Sequence, residues 1–323
     1  MSKVDISIVI LTKNGTPYIK EVLEAIYQQK TSLRFEIIAV DSGSTDGTLD
    51  ILKKFSVILH QISPEKFNHG GTRNLGISLS KGKLIILLTQ DATPADENWM
   101  ENLTKDLWND PMVAGVYARK IPRIESNPIE RREVIQFPFE GGTQKLIFRI
   151  SDHGWEHYRK YAHIYRYFSN TCSAIRRSVW EKIPFREVNF AEDNLWAKEV
   201  LEAGYTKIYE PAAAVYHSHD YSPIVYMRRC FDHACGMKQL FGYQDTFYFW
   251  QIILRAGRSF LEDTKFIKKD NNLPLKEKIG WICFSPIYHI LKNTGTYLGA
   301  HYEKIPKRWI KKLSLQYRLI RSS

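Results

Sequence analysis

Four short runs of isoleucine, valine and leucine, at residues 6–11, 35–40, 57–59 and 84–88, alternate with helical periodicity at 16–29, 44–55 and 71–80. Short apolar runs rich in these residues read as strands covered on both faces, the pattern of a parallel sheet. Strand–helix alternation then predicts an α/β fold: an open, doubly wound, mostly parallel sheet flanked by helices. Ser44 or Thr45 is placed to cap the second helix, and Gly82 stops the third. Ligands of such sheets lie beyond the C-terminal ends of the strands. Those ends are polar here: Thr12-Lys13-Asn14-Gly15, then Asp41-Ser42-Gly43-Ser44-Thr45-Asp46-Gly47, then Thr89-Gln90-Asp91-Ala92.

At 323 residues, 44% of them hydrophobic, the chain can bury one large core or a core with an appended piece. Cys172, Cys230, Cys235 and Cys283 show neither a CxxC pair nor zinc-type spacing, which fits reduced, mostly buried thiols in a cytosolic compartment. The N-terminus runs from Met1 through Lys3 and Asp5 directly into an apolar strand, without the basic segment and small-residue site of a secretion signal. The apolar stretch 279–290 is interrupted by Pro286 and His289, and it falls short of the roughly 20 residues that span a bilayer. The net charge of +11 is concentrated at one end: residues 255–323 hold 15 Lys and Arg against 5 Asp and Glu, leaving 31 against 30 in the rest. That region carries no nucleic-acid-binding signature, so an anionic membrane surface is the better match and no nucleic-acid partner is expected.

Neither GxGxxG nor GxxxxGK[ST] follows the first strand, which argues against a dinucleotide oxidoreductase and a P-loop nucleotidase. An aspartate at a strand end, such as Asp41, can accept from a nucleobase imide N–H, and hydroxyls and amides at a following helix start can hold ribose or phosphate. A turn with a helix cap explains the same residues equally well. Asp91 stands where one carboxylate and two ligand phosphates can hold a hard divalent cation. Such an ion stabilises a departing nucleoside diphosphate. The competing reading is a cap on the 92–96 turn.

Taken together, these residues resemble family 2 glycosyltransferases of the GT-A fold. Val40-Asp41-Ser42-Gly43-Ser44-Thr45-Asp46-Gly47-Thr48 matches that family's VDxxSTDxT segment, and the likeness covers roughly residues 5–220. It implies a nucleotide-sugar donor, a Mg²⁺ or Mn²⁺ ion and inversion at the anomeric carbon. It also implies a catalytic domain over 1–222, with a nucleotide-sugar half to about residue 120 and an acceptor half after it; composition alone marks 223–323 as a basic, aromatic-rich helical region. Where the family often has Asp-x-Asp, this chain has Thr89-Gln90-Asp91, keeping the last aspartate and losing the first. Phe67-Asn68-His69-Gly70-Gly71-Thr72-Arg73-Asn74 resembles the FxHGxTRN signature of rhamnosyltransferases, which implies dTDP-β-L-rhamnose as donor. Two glycines at a loop-to-helix junction permit close backbone approach; the resemblance puts Gly70, Gly71 and Asn74 by the donor sugar and diphosphate, with His69 either on a sugar hydroxyl or capping its own loop. Thr12, Asn14, Asp41, Ser44, Arg73 and Gln90 are expected around the nucleotide.

In the second half, Glu192-Asp193 opens a helical pattern that Gly204 stops. The resemblance assigns Asp193 as the general base that removes the acceptor hydroxyl proton; acids at a helix start also suit the macrodipole without any catalytic role. Neighbouring Glu192 raises the Asp193 pKa. Asn170, Thr171, Glu192 and Trp196 are expected on the acceptor side, with core packing as the alternative for Trp196. After the strand-like stretch 212–216, His217 and His219 fall on one side of an extended chain. By resemblance His217 joins Asp91 on the metal, with His219 the second choice or a phosphate contact.

Beyond residue 222 the patterns at 247–261 and 305–320 are helical, aromatic and basic. In the second, Ile305, Trp309, Leu313, Tyr317 and Ile320 share one face, while Lys304, Lys307, Arg308, Lys311, Arg318 and Arg321 share the other. This is the pattern of an interfacial helix, or of an amphipathic helix packed on the catalytic domain. The reading that follows is a cytoplasmic protein, peripheral on the inner face of the cell membrane, extending a polyprenyl-pyrophosphate-linked glycan. A homodimer through the C-terminal helices is compatible with it. Two alternatives stand beside it: the same chemistry with a UDP-hexose or UDP-GlcNAc donor, and a catalytically silent binding protein.

Overall fold

The computed structural model describes residues 4–188, 190–242 and 248–315. The chain forms two compact units: Met1–Pro122 with Val134–Val188 and Glu192–His217, and Arg123–Glu133 with Asn189–Ala191 and Ser218–Ser323.

The first unit is built on one nine-stranded sheet. Its strands are β1 (Ile6–Thr12), β2 (Phe35–Asp41), β3 (Val57–Gln61), β4 (Leu84–Thr89), β5 (Thr93–Pro94), β6 (Val113–Ile121), β7 (Leu146–Phe148), β8 (Cys172–Arg176) and β9 (Thr206–Tyr216). The order is β3-β2-β1-β4-β8-β6-β9-β5, with β7 added on β9. The β3-β2-β1-β4 half is entirely parallel, whereas β8 runs antiparallel to both β4 and β6.

Helices cover both faces because the parallel strands carry apolar side chains on both sides. Ile6, Ile8 and Ile10 of β1 enter one core with Ile37, Ala39, Ile86 and Leu88. That core is closed by Val22, Leu23 and Ile26 of α1 (Ile19–Tyr27). Val9, Ile38, Val40, Ile85 and Leu87 point the other way, into a second core with Ile77 and Trp196. The two-residue period of a strand thus serves two cores, and each fully buried aliphatic side chain contributes about 1.5–3 kcal/mol relative to exposure.

The remaining helices are α2 (Thr48–Leu52), α3 (His69–Ser78), α4 (Trp99–Asn109), α5 (Pro128–Gln136), α6 (Ile150–Lys160), α7 (Ala162–Tyr165), α8 (Arg177–Trp180) and α9 (Glu192–Glu202), then α10 (Pro223–Phe241), α11 (Gln251–Lys269), α12 (Leu275–Ala300) and α13 (Lys307–Leu313). Two helix starts differ from the sequence expectation. The residue capping α2 is Gly47, in the left-handed region at φ 92°, because Ser44 and Thr45 are occupied in joining two loops. Helix α3 begins at His69, capped by Asn68, whose side chain accepts from the Gly71 N–H at 3.0 Å.

In the second unit, Phe231, Cys235 and Ile310 form a small core with Leu298, Tyr302, Ile305 and Leu313 around it. The expected amphipathic helix over 305–320 is shorter. Helix α13 ends at Leu313, where Ser314 turns extended and its carbonyl accepts from Arg228 at 2.8 Å. The Leu315 N–H then donates to Asp232 at 2.9 Å. Its buried residue is Ile310, while Trp309, assigned to the apolar face from sequence, is about half exposed. Tyr317, Arg318, Ile320 and Arg321 lie outside the described residues, as does Phe247 of the earlier pattern. The four cysteines are unpaired, two of them buried.

Candidate active site

Strand β2 lies on one side of β1 and β4 on the other, so the chain reverses direction of winding between β1 and β4. The crevice beyond such a switch point is where α/β sheets bind ligands. The loops that rim it are stitched together. Thr12, at the end of β1, donates to Asp41 at the end of β2 at 3.0 Å. Asp41 is fully buried and also accepts from the Gly43 and Ser44 N–H groups, at 3.0 and 2.9 Å, and from the Ser44 hydroxyl. Both carboxylate oxygens are therefore engaged within the chain. Asp41 thereby shapes the turn that rims this part of the crevice. Asn14, held at φ 49°, donates its N–H to the Ser44 hydroxyl at 2.9 Å and accepts the Thr45 N–H on its side chain at 2.9 Å. Residual desolvation favours a protonated Asp46, but hydrogen bonds from Thr16 and Thr48 outweigh it and hold that carboxyl well below the usual range. From the β4 side, Gln90 reaches across the switch point and clamps the Lys13 peptide, accepting its N–H at 2.8 Å and donating to its carbonyl at 2.9 Å.

Asp91 follows directly, and its Oδ1 lies 3.5 Å from Nε2 of buried His217. His217 is fixed by the end of β6, since its N–H donates to the Ile121 carbonyl at 3.0 Å. Ligand atoms around an octahedral ion with bonds of 2.0–2.2 Å sit about 3 Å apart, so a carboxylate and an imidazole at this separation fit a divalent cation with little movement. Thr89, in the position of the lost aspartate, is tied into the sheet by its N–H, which donates to the Thr171 carbonyl at 3.0 Å. His219 belongs to the second unit, where its N–H donates to Glu130 at 2.8 Å and its ring lies 4.8 Å from Tyr221.

The segment 170–171 joins this end of the site to Asp193. Its Thr171 carbonyl holds β4, and its Asn170 N–H donates to Oδ2 of Asp193 at 3.2 Å. The other carboxylate oxygen accepts the Asn194 N–H at 2.8 Å, within α9. Just before α9, Ala191 has φ 52°, a left-handed conformation that an alanine adopts only under constraint. Glu192 is buried and ion-paired with buried Arg73 of α3. Burial and the charge of Glu192 push the Asp193 carboxyl up to about 7, against opposing effects of Arg73 and the two N–H donors. Buried Asn170 accepts the Ser173 hydroxyl at 2.8 Å, and its side-chain NH₂ has no hydrogen-bond partner among the described residues.

Several sequence expectations change here. Trp196 is fully buried between Phe168 and Phe185, with ring centroids at 5.3 and 5.5 Å, and its indole N–H donates to the Ile183 carbonyl at 2.9 Å. It is core, not a platform for an acceptor ring. Asn74 is a brace: its amide oxygen accepts from Trp180 and the Phe185 N–H, and its NH₂ donates to the Phe185 carbonyl. Arg73 pairs with Glu192, the residue next to Asp193. Gly70 does serve a close approach, but to the chain itself, because a Cβ there would lie 2.1 Å from the Arg186 carbonyl oxygen. His69 packs edge-on against Phe67, with centroids 4.9 Å apart.

A group that sequence patterns did not single out sits between these parts. Glu140 pairs with Lys120 of β6 at 2.6 Å and accepts the Tyr167 hydroxyl. Burial raises the Tyr167 pKa, and the charges of Glu140 and Asp193 add to it. Glu140 lies in an irregular segment without a motif, and its only sequence signal is its place between β6 and β7.

Glycosyl transferase family 2 matches residues 7–183 of the chain. The O-antigen chain rhamnosyltransferase WbaN of Salmonella anatum is 32% identical over 287 residues, covering 87% of this chain and 84% of that protein. The O-antigen chain rhamnosyltransferase RfbN of Salmonella typhimurium is 32% identical over 311 residues, covering 93% and 91%. Among solved structures, the mannosyltransferase PcManGT of Pyrobaculum calidifontis, in complex with GDP-Man and Mn²⁺, aligns with a TM-score of 0.57 at 17% identity, covering 94% of this chain and 87% of that one. S. aureus TarS 1–349 in complex with UDP-GlcNAc aligns with a TM-score of 0.53 at 16% identity, covering 93% and 92%. The shared architecture is the GT-A fold expected from the strand ends.

Proposed function

We propose, from the premise that this chain belongs to glycosyl transferase family 2 and is a glycosyltransferase, that it transfers L-rhamnose from dTDP-β-L-rhamnose to a hydroxyl of a lipid-linked cell-surface glycan, with inversion. The rhamnose assignment rests on two O-antigen rhamnosyltransferases that match it over most of both chains. The chemical assignment rests on one observation: the Asp193 carboxylate, held by Asn170 and Asn194 N–H groups and raised to about 7, is tuned to take a proton near neutral pH.

In this reading Asp193 removes the acceptor hydroxyl proton as that oxygen bonds to the anomeric carbon. The bond from that carbon to the diphosphate breaks from the opposite face, and dTDP leaves with the electron pair. The unpartnered NH₂ of Asn170 is a donor for the acceptor oxygen, which keeps the hydroxyl oriented with its proton toward Asp193. Thr12, Asn14, Ser44 and Gln90 hold the two loops that receive the nucleotide, and His69 with the amides of Gly70 and Gly71 borders the sugar and diphosphate. Asp91 and His217 would hold a divalent cation, with His219 the second choice for the imidazole ligand. Bound there, the ion would offset the negative charge of the departing diphosphate. One imidazole in the set favours Mn²⁺ over Mg²⁺, which prefers an all-oxygen shell. A lipid-linked acceptor places the protein peripherally at the inner face of the cell membrane; among the described residues no helix is long and apolar enough to cross a membrane.

The test is release of nucleoside diphosphate from dTDP-rhamnose, UDP-GlcNAc, UDP-galactose, UDP-glucose and GDP-mannose with Mn²⁺ or Mg²⁺. The expected result is metal-dependent release of dTDP alone, lost in Asp91→Ala and in Asp193→Asn when acceptor is present. Release of UDP would keep the mechanism and discard rhamnose. Binding of no donor in a thermal-shift assay would discard catalysis.

A further inference from the structure

Helix α11 of the second unit has one face that its own packing fixes outward. Ile252, Ala256, Asp263 and Ile267 form its buried side. Asp263 is fully buried and accepts from Arg132, from the Ser285 hydroxyl at 2.5 Å and, within the same cluster, lies 2.7 Å from Nε2 of His289. Rolling α11 about its axis would pull a carboxylate out of that network and leave Arg132 and His289 without it. The opposite side is therefore held in solvent although much of it is apolar. Trp250, Leu254 and Leu261 lie along it and are 60, 61 and 59% exposed, with Tyr248 at 67% stacked on Trp250 at 6.4 Å.

What covers this face follows from its charge. Along the 19 residues of α11, about 28 Å of helix, the same side continues into exposed Lys265 and Lys268, with exposed Arg258 between Leu254 and Leu261. The acids of the helix are Asp263, which is buried, and Glu262, which already meets Arg132 at 2.9 Å and Arg258 at 3.4 Å. Two copies meeting through this face would set cation against cation. A sheet of phosphates over hydrocarbon answers both components at once: indole and phenol rings settle at the headgroup level, leucines pass just below, and long basic side chains reach up to phosphate.

We infer that α11 lies flat on an anionic lipid bilayer, with Trp250, Leu254 and Leu261 entering the headgroup–acyl boundary and Arg258, Lys265 and Lys268 on lipid phosphates. The contact is assigned to α11; helix α13 spans Lys307–Leu313 and buries its central Ile310. It stands independently of the donor and of the catalytic assignments.

Sedimentation with vesicles tests it, using phosphatidylcholine alone and phosphatidylcholine mixed with phosphatidylglycerol, in the absence of any sugar donor. The full chain is compared with Trp250→Ser/Leu254→Ser/Leu261→Ser and with Arg258→Glu/Lys265→Glu/Lys268→Glu. All six positions are exposed, and circular dichroism with thermal melting verifies that each variant is folded. Wild type is expected to bind only the phosphatidylglycerol vesicles, and each variant to lose at least about tenfold in partitioning, since each well-placed basic residue contributes about 1 kcal/mol. Failure of wild type to bind, or variants that bind as wild type does, would overturn the inference. A wild-type dimer by light scattering that the serine variant converts to monomer would reassign the face to a second copy. Diphosphate release from a soluble donor, measured without vesicles, is expected to be unchanged in both variants, which separates this outcome from that of the catalytic reading.

Discussion

Arg73 and Glu192 form an ion pair in which both side chains are more than nine-tenths buried, and it joins α3 to the residue immediately before Asp193. The two segments that carry them, one resembling a donor-side signature and the other a base motif, are 119 residues apart in sequence. The pair sets the charge that Asp193 senses.

Glu192 raises the Asp193 pKa and Arg73 lowers it, with burial the largest effect. In Glu192→Gln the like charge disappears while Arg73 remains, so Asp193 ionises at lower pH. The acidic limb of kcat/KM against pH is expected to move to lower pH in this variant. Arg73→Met moves it the other way and, by leaving a buried carboxylate unpaired, destabilises by about 3–5 kcal/mol. Rate profiles of the two variants against wild type check the opposed directions; a limb that moves in neither variant belongs to some other group.

The same carboxyl links pH to stability. An unfolded aspartate ionises near 3.9, whereas Asp193 in the folded chain ionises at about 7. Between those values the folded state keeps a proton that the unfolded state has released, so the group favours the fold at acid pH. This contribution declines as pH rises and is gone above 7, where the folded chain carries a buried charge beside Glu192. Asp193→Asn is therefore expected to be more stable than wild type by about 1–2 kcal/mol near pH 8, with the difference shrinking toward pH 5. Urea unfolding at the two pH values measures it, and the same variant is expected to lose turnover.

Trp196 separates packing from acceptor recognition. Fully buried between two phenylalanines and hydrogen-bonded to a carbonyl, it is expected to destabilise the chain by about 3–5 kcal/mol when cut to alanine. Trp196→Phe keeps most of the volume, and its acceptor KM is expected to match that of wild type. A raised acceptor KM in Trp196→Phe, with melting temperature unchanged, would return the residue to the acceptor site.

The parallel half of the sheet was legible because β1, β2 and β4 are largely buried on both faces and so carry runs that are apolar but for Ser7 and Glu36. The run at 84–88 became β4 with one residue added, and that at 6–11 became β1 likewise. Strand β9 was only half visible, as 212–216, because its first residues include Thr206 and Lys207, both buried. A strand hiding a lysine has no apolar signature; Lys207 is accommodated by the Ile164 and Tyr167 carbonyls and the face of Phe148 at 4.1 Å. Burial pushes its pKa well below the ordinary range. At the site, motifs and resemblance marked Asp91, His217 and Asp193 as candidates but carried nothing of the bonds among their neighbours. Asp41, Asn74 and Trp196 belong to recognisable patterns, yet each is occupied by partners far away in sequence. Periodicity carries no information on such pairings, and for the same reason Glu140, Lys120 and Tyr167 stayed unseen.

Gly70 and Gly71 give the sharpest local contrast. A Cβ on Gly70 would fall 2.1 Å from the backbone carbonyl of Arg186, whereas one on Gly71 would meet only the flexible Glu187 side chain at 3.3 Å. Backbone cannot swing aside as a glutamate can, so Gly70→Ala must push the 185–188 segment off α3. That segment is held by Asn68 through the Val188 carbonyl and by Asn74 through Phe185, and the same movement disturbs Glu192, whose Cβ is 3.5 Å from the added methyl. Gly70→Ala is expected to lose about 1–3 kcal/mol of stability and to lower kcat through Glu192 and Asp193. Gly71→Ala, in a helical position that favours alanine by roughly 1 kcal/mol, is expected to be neutral or stabilising with kcat retained. Denaturant unfolding and steady-state kinetics on the two variants decide it: equal losses at both positions would mean that the glycines serve a bound ligand and not the approach of Arg186.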